Sequence, residues 1–195
     1  MASAKVDRNL QKVVTPVFRL SFPSIFKPKS FEGSEPKYSV VMLFDKKTDL
    51  TPMKKAVKAA IVSKWGADKA KWPKGLRMPF RDGSEKSDLD GYEGCIFVSA
   101  SSKTQPGIVD QRLEEVIDQE VVYAGCYARA EVFAFPYDRA GNKGVSFGLN
   151  HIQKIKDGES FSGKGNAKNA FDAVEDEADD ESFYEDDSTD EDLGF

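Results

Sequence analysis

The chain has 195 residues, 39% of them hydrophobic, and a formal net charge of −5 at pH 7. This length suits one domain with appendages, or at most two small domains. The sequence contains no run of about 18 apolar residues that could span a membrane, and its start lacks the apolar segment of a secretion signal. One histidine and two distant cysteines, Cys95 and Cys126, are too few ligands for a Cys/His zinc site.

The net charge conceals a strong division along the chain. Residues 172–195 hold 13 of the 33 acidic residues and no Lys or Arg, which leaves 20 acids against all 28 basic residues elsewhere. The body is therefore about +8 and the tail −13, a pattern typical of a polyanion-binding body with an acidic interaction tail. We expect a flexible arm over 1–12, a domain over 13–158, a Gly/Ser/Asn/Lys-rich linker over 159–171 and a disordered acidic tail over 172–195.

The first part of the body predicts two strands joined by a loop. Alternating side chains predict a strand over 13–22, a Pro- and Gly-studded loop over 24–36 and a second strand over 37–44. The residues expected on one face of the first strand are Val14, Phe18, Leu20 and Phe22.

Thr51 and Pro52 predict the start of a helix, with Thr51 as N-cap and Pro52 at the first helical position. The helix is expected to pack an apolar face on the core and to end near Trp65. Residues 67–94 contain no clear element, and a loop of this length in a compact domain is usually functional or disordered.

Three further strands are predicted at 95–101, 121–135 and 145–155. Residues 108–120 fit a short helix or a loop equally well, and Gly125 marks a possible bulge in the long strand. Five or six strands with one helix after the second predict a mainly β fold, a small β-barrel with long loops. An immunoglobulin-like sandwich is the alternative.

The long strand has two unlike faces. Its even positions are small and apolar, whereas its odd positions include Tyr127, Arg129 and Phe133. Rings on a sheet can stack on the bases of a single strand with little dependence on sequence, and Arg can also pair with phosphate. The alternative is that these rings pack under the long loops.

Basic residues are interleaved with aromatic residues elsewhere in the body, which is typical of a groove that binds a nucleic-acid strand. A lysine-rich solvated surface is the alternative. The candidate nucleic-acid-binding residues are Arg19, Lys27, Lys29, Lys71, Trp72, Arg77, Phe80, Arg81, Tyr92, Tyr127, Arg129, Phe133 and Lys143.

The tail offers a second kind of site. Asp190, Glu191 and Asp192 precede Phe195, whose ring and carboxylate suit an apolar pocket rimmed by Arg and Lys on a partner. The same acids could cover the basic groove when DNA is absent. A purely solubilising tail is the alternative.

Motifs for catalysis are missing from the sequence. It has neither a phosphate-binding GxxxxGK[ST] loop nor a GxSxG motif, and a single histidine with no matching partners gives no catalytic triad. We therefore expect no enzyme activity, no cofactor and no metal.

Several stretches resemble phage-encoded single-stranded DNA-binding proteins that have an OB-fold and an acidic C-terminal tail. They are PVFRLSFPSIFKP, MPFRDGSEKSDLDGYEGCIFVSASSKTQPGIVD, YAGCYARAEVFAFPYDRAGNKGVSFGLNHIQKIKDGE and the final DEDLGF. The resemblance covers nearly the whole chain. It implies a five-stranded OB barrel that coats single-stranded DNA during replication and recombination in the bacterial cytoplasm. Its tail is expected to contact the polymerase, the helicase-primase or host partners.

Two other functions remain compatible with the residues alone. One is a protein-interaction adaptor with no nucleic-acid role, and the other is an RNA-binding OB-fold protein, because recognition of the 2′-hydroxyl depends on geometry. An oligomer is possible.

Overall fold

The computed structural model describes residues 8–30 and 32–161. This part contains eight strands and one α-helix. In chain order the elements are β1 Lys12–Val14, β2 Phe18–Lys29, β3 Lys37–Asp45, α1 Thr51–Trp65, β4 Arg81–Asp82, β5 Cys95–Ser102, β6 Gly107–Val109, β7 Tyr127–Arg139 and β8 Asn142–Lys156.

Five of the strands close into a ring in the order β2, β3, β5, β8, β7 and back to β2. Neighbours are antiparallel except β5 and β8, which are parallel. The β5–β8 and β2–β7 seams have only two paired positions each, so the ring is not a regular barrel. The predicted OB-like five-stranded fold with one helix after the second ring strand is confirmed.

The core fills the inside of the ring, and α1 covers it. Small side chains at alternate positions of β7 are buried, from Ala128 to Ala134, as the alternation predicted. The helix buries residues spaced three and four apart, which places one face on the core. These residues are Met53, Ala56, Val57, Ala60 and Ile61.

The helix spans the predicted residues, but its first residue differs in role. Leu50 occupies the N-cap position and makes no side-chain cap, while Thr51 is already helical. The Thr51 N–H is satisfied by Asp49 Oδ1 at 2.9 Å. The prediction of Thr51 as N-cap was wrong by one residue, because the Asp49 carboxylate supplies the acceptor.

The predicted first strand is two strands. Thr15 is buried and exchanges two hydrogen bonds with the main chain of Ala130, of 2.8 and 3.0 Å, and this contact interrupts the strand after β1. Strand β2 then runs on to Lys29, so much of the predicted loop at 24–36 is strand. Residues 8–12, expected in a flexible arm, form a 3-10 turn and the start of β1.

Two later predictions also change. The long strand begins at Tyr127, because Gly125 adopts a φ of 108° in a turn and donates to the Leu20 carbonyl at 2.7 Å. The bulge predicted at Gly125 is therefore a turn before the strand. Between β6 and β7 the chain forms turns and no helix.

Candidate nucleic-acid interface

A groove of about 550 Å³ runs over the outer face of β2, β3 and β5. Because side chains alternate across a strand, Val40, Val98 and Ala100 enter the core, whereas their neighbours face outward. The outward residues are mostly small and polar, so the floor admits a flat ligand. The lining residues include Ser24, Ser39, Val41, Ser99 and Ser101.

Phe22 lines this groove, and the residue is 56% exposed. The register between β2 and β3 shifts between Ser21 and Ser24, and Phe22 has a φ of 44° within this bulge. A bulge changes the side of the sheet that a residue faces. The expectation that Phe22 shares the buried face of Phe18 was therefore wrong, and the ring is available for stacking.

Three lysines line the groove: Lys29, Lys37 and Lys86. Glu35, which also lines it, forms an ion pair with Lys103 at 2.5 Å, and the hydrogen bond from Lys103 lowers the pKa of that carboxyl. The Lys86 ammonium lies 5.3 Å from the Phe97 ring centroid, a cation–π contact. None of the three lysines forms an ion pair within residues 8–30 and 32–161, so the groove presents positive charge beside an exposed ring.

Tyr92 closes the other end of the same sheet face. Its side chain is fully buried against Leu43 and Phe97, and its hydroxyl lies 3.2 Å from Ser21 Oγ. Burial raises the pKa of the Tyr92 hydroxyl. The prediction that Tyr92 offers a surface to nucleic acid is contradicted, because the loop before β5 folds this ring into a small second core.

Arg19 and Tyr127 are neighbours on adjacent strands, as their register shows. Arg19 donates to the carbonyls of Glu159 and Gly125, at 2.6 and 3.3 Å, and its guanidinium lies 4.4 Å from the Phe161 ring centroid. These two candidates hold the last described segment of the chain, and their contact with nucleic acid stays a prediction.

The other two candidates on β7 are not among the residues that line the groove. Arg129 donates to Gln153 Oε1 at 2.7 Å. Phe133 is half-buried and pairs in register with Lys12 of the edge strand β1. The structure does not bring these side chains together with Phe22.

A second pocket, of about 350 Å³, lies between α1 and the loop that follows it. Trp72 and Phe80 line it; the Trp72 indole donates to the Gly66 carbonyl at 2.9 Å, and Phe80 packs edge-on against Phe147. Three lysines of the helix and loop also line it. Lys71 is exposed on the adjacent 3-10 turn, outside the lining.

The remaining body candidates are scattered over the surface. Arg81 forms an ion pair with Glu85 at 2.5 Å, and Lys143 pairs with Asp138 at 3.4 Å. Arg77 is exposed, and its main chain bonds to Lys143 and Val145. Lys27 is exposed near the end of β2. The tail candidates Asp190, Glu191, Asp192 and Phe195 lie outside the described residues.

The sequence reasoning missed Phe22, Lys37 and Lys86 as groove residues. Lys37 begins a strand, and a signal for it was present, since a basic residue next to a polar strand face is common in binding grooves. Phe22 and Lys86 reach the groove through a bulge and a 3-10 turn, which side-chain alternation does not predict.

Within residues 8–30 and 32–161 no cluster of His, Cys, Asp and Glu could hold a metal ion. Cys95 and Cys126 are free thiols, and burial raises the pKa of both. No helix in the same part of the chain is long and apolar enough to cross a membrane.

The fold and groove define a class of protein. OB-type rings bind oligonucleotides on the face formed by their second and third strands and by neighbouring loops, and in this ring those strands are β3 and β5. The family model described as the ssDNA-binding protein of Enterobacter phage Enc34 matches residues 11–183. The chain belongs to this family of phage single-stranded DNA-binding proteins.

Two individual proteins are similar to this chain. The putative protein p50 of Acyrthosiphon pisum secondary endosymbiont phage 1 is 37% identical over 157 residues, covering 75% of this chain and 84% of the relative. The single-stranded DNA-binding protein of bacteriophage Enc34, solved in complex with ssDNA, has a TM-score of 0.67 and 26% identity over 78% of this chain and 90% of its own.

A more distant structure shares the fold. Gp2.5, a single-stranded DNA-binding protein encoded by bacteriophage T7, has a TM-score of 0.52 and 14% identity over 79% of this chain and 96% of its own.

Proposed function

We propose that this protein binds single-stranded DNA with low sequence specificity and thereby coats and protects it during phage replication and recombination. The observation that carries the proposal is the groove on β2, β3 and β5, where Phe22 stands exposed beside three lysines. The solved complex of the Enc34 protein with ssDNA supports it.

The chemistry of the groove explains the low specificity. A base stacked on Phe22 would contribute about 1–3 kcal/mol whatever its identity, because every base has a π face. Lys29, Lys37 and Lys86 line the groove and would neutralise phosphates, and phosphate contacts carry no direct sequence information. A duplex hides its base faces, so it cannot use the ring.

We further propose that the acidic tail competes with DNA for the groove and recruits replication proteins such as a polymerase or a helicase-primase. The body leads into the tail through Phe161, which packs on the Leu43, Tyr92 and Phe97 cluster. This cluster occupies the same sheet face as the groove. The chain therefore leaves the described body on the face that carries the groove, with ten residues between Phe161 and the first of the 13 acids of residues 172–195 that would screen the lysines of the groove.

Membership of the family supports a non-catalytic role in the cytoplasm of a bacterial host. The proposed activity needs neither a cofactor nor a metal. Coating a strand would bring neighbouring copies together, and an oligomer is compatible with this role.

Titration of the full-length protein with oligo-dT at low salt tests the proposal through quenching of Trp and Tyr fluorescence. We expect tight binding that weakens steeply with salt and a clear preference for single strands over duplex. Equal affinity for duplex would contradict it, and the absence of any binding would favour the adaptor function. A parallel titration with oligo-rU compares DNA with RNA.

Deletion of residues 172–195 tests the tail. We expect the truncated protein to bind oligo-dT more tightly at low salt and to lose binding to replication partners. Unchanged affinity for DNA would show that the tail does not compete for the groove.

A further inference from the structure

The pocket beside α1 combines an apolar interior with a basic rim. Val57 and Ile61 lie one helical turn apart on α1, and Trp72, Met78 and Phe80 face them from the following loop. Met78 remains 48% exposed, so the pocket is open to solvent. An apolar cavity that stays open at the surface suits a large apolar side chain of a binding segment.

Three lysines surround this interior. Lys54 and Lys58 are one turn apart on the helix, and Lys69 lies on the loop. None of the three forms an ion pair with an acidic residue in the part of the chain that the structure describes. The rim therefore attracts acidic groups that flank an apolar anchor.

The chain itself contains a segment of this chemistry. Residues 190–195 read Asp-Glu-Asp-Leu-Gly-Phe, three acids followed by Leu193 and Phe195. Three acids complement three lysines, and two apolar side chains complement the interior. We propose that the pocket beside α1 binds residues 190–195 of the same chain, with Phe195 as the anchor.

The length of the intervening chain permits this contact. The 28 residues from 162 to 189 separate Phe161 from the segment, and a flexible chain of that length has an end-to-end distance of about 30 Å. This distance is similar to the diameter of a body of this size. Tethering at such a distance gives an effective concentration on the order of 1 mM, which favours the segment of the same chain over that of another copy.

The pocket and the DNA groove are joined by a short stretch of chain. Phe80 lines the pocket, strand β4 follows it along β5, and Lys86 then lines the groove. A segment seated in the pocket would withhold Phe195 from partners. This consequence rests on the proposed function, whereas the seating itself does not.

The indole N–H of Trp72 reports on the pocket directly. The chain has two tryptophans, so nitrogen–proton correlation spectra contain two indole signals, and Trp65, which does not line the pocket, is the internal control. Without DNA, we expect Phe195→Ala to shift the Trp72 signal of the full-length protein and Phe183→Ala to leave it in place. Because no DNA is present, failure here is distinguishable from failure of DNA binding.

Charge reversal supplies the second test. The double variant Lys54→Glu/Lys58→Glu should move the Trp72 signal towards its position in Phe195→Ala. Adding Asp190→Lys and Asp192→Lys to this double variant should return the Trp72 signal to its position in the unmodified protein. No response of Trp72 to Phe195→Ala overturns the proposal. Three other results would also overturn the proposal. A shift of the Trp72 signal in Phe183→Ala would assign the pocket to another tail segment, and a shift that is lost on dilution would assign it to a second copy of the chain. A shift caused only by oligo-dT would assign the pocket to nucleic acid.

Discussion

Arg19 donates a hydrogen bond of 2.6 Å to the main-chain carbonyl of Glu159, a residue 140 positions later in the chain. The same guanidinium stacks on the Phe161 ring, and the Phe161 N–H donates to the Ala124 carbonyl at 3.0 Å. This contact joins the start of β2 to the end of the described chain. It therefore determines where the tail leaves the body.

Replacing Arg19 should loosen this attachment. In Arg19→Ala we expect the amide of Phe161 to exchange with solvent roughly tenfold faster, since the lost charged hydrogen bond contributes about 1.5 kcal/mol to local stability. Hydrogen-exchange mass spectrometry of the full-length protein measures this change. Arg19→Lys is the control, because it keeps the charge but loses the planar guanidinium, and it should give a smaller effect. Unaltered exchange in Arg19→Ala would show that the contact does not hold the segment.

The assignment of Tyr92 to the core leads to a second prediction. Tyr92→Leu removes a fully buried ring from the cluster with Leu43 and Phe97, and it should lower the free energy of unfolding by about 2–3 kcal/mol. Tyr92→Phe loses only the hydroxyl that meets Ser21 and should cost about 1 kcal/mol. Urea unfolding measures both values.

Binding of oligo-dT separates core packing from stacking at Tyr92. Under conditions where both variants are folded, their affinity for DNA should equal that of the unmodified protein. A loss of affinity in Tyr92→Leu without a loss of stability would instead place this ring in contact with a base.

Asp82 leads to a pH prediction. The pKa of Asp82 is lowered from 3.8 to about 2. The largest cause is the hydrogen bond from the main-chain N–H of Ser84, followed by hydrogen bonds from the Ser84 side chain and from Lys46. A carboxyl whose pKa is lower in the folded state stabilises the protein above its unfolded pKa and loses that effect as the pH falls through the folded value. Asp82→Ala should therefore lower the melting temperature at neutral pH, and the difference should vanish as the pH approaches 2.

The control for Asp82 is Asp88→Ala, another exposed acid in the same loop. It should cause a smaller change at neutral pH. A melting difference between Asp82→Ala and the unmodified protein that persists at the lowest pH would show that the charge of Asp82 is not its cause.

The sequence predicted best those elements in which apolar or small residues recur at a regular spacing. Apolar residues three and four apart identified α1, and small residues at alternate positions of β7 identified its buried face. The failures lie where a distant contact overrides local pattern. Thr15 interrupts a strand by bonding to Ala130, and the bulge at Phe22 turns that ring outward.

The sequence predicted a groove of basic and aromatic residues but not which residues line the groove that the structure contains. Basic and aromatic residues do meet in a groove, and Lys29 was among those named, but Phe22, Lys37 and Lys86 were not. Burial of Tyr92 depends on packing of a loop on β3 and β5, which composition does not predict. The sequence also does not show which basic residues pair with acids. The ion pair between Arg81 and Glu85, for example, depends on the fold.

The lysines of the groove should contribute to the salt dependence of DNA binding. Each phosphate contact on a single strand contributes about −0.7 to the slope of log K against log salt concentration. Lys37→Gln should reduce the magnitude of the slope by about that amount. Lys47→Gln, an exposed lysine just beyond the opposite end of β3, is the matched control and should leave the slope unchanged. Equal slopes for the two variants would remove Lys37 from the interface.

Photo-crosslinking of the full-length protein to an oligonucleotide containing 5-iodouracil tests the central claim most directly, because the iodinated base reacts with the aromatic ring on which it stacks. Mass spectrometry then identifies the residue. We predict that the principal cross-link falls on Phe22, in the groove of β2, β3 and β5. Cross-links confined to Tyr127 and Phe133 on β7, or to Trp72 and Phe80 beside α1, would contradict the placement of the DNA in this groove.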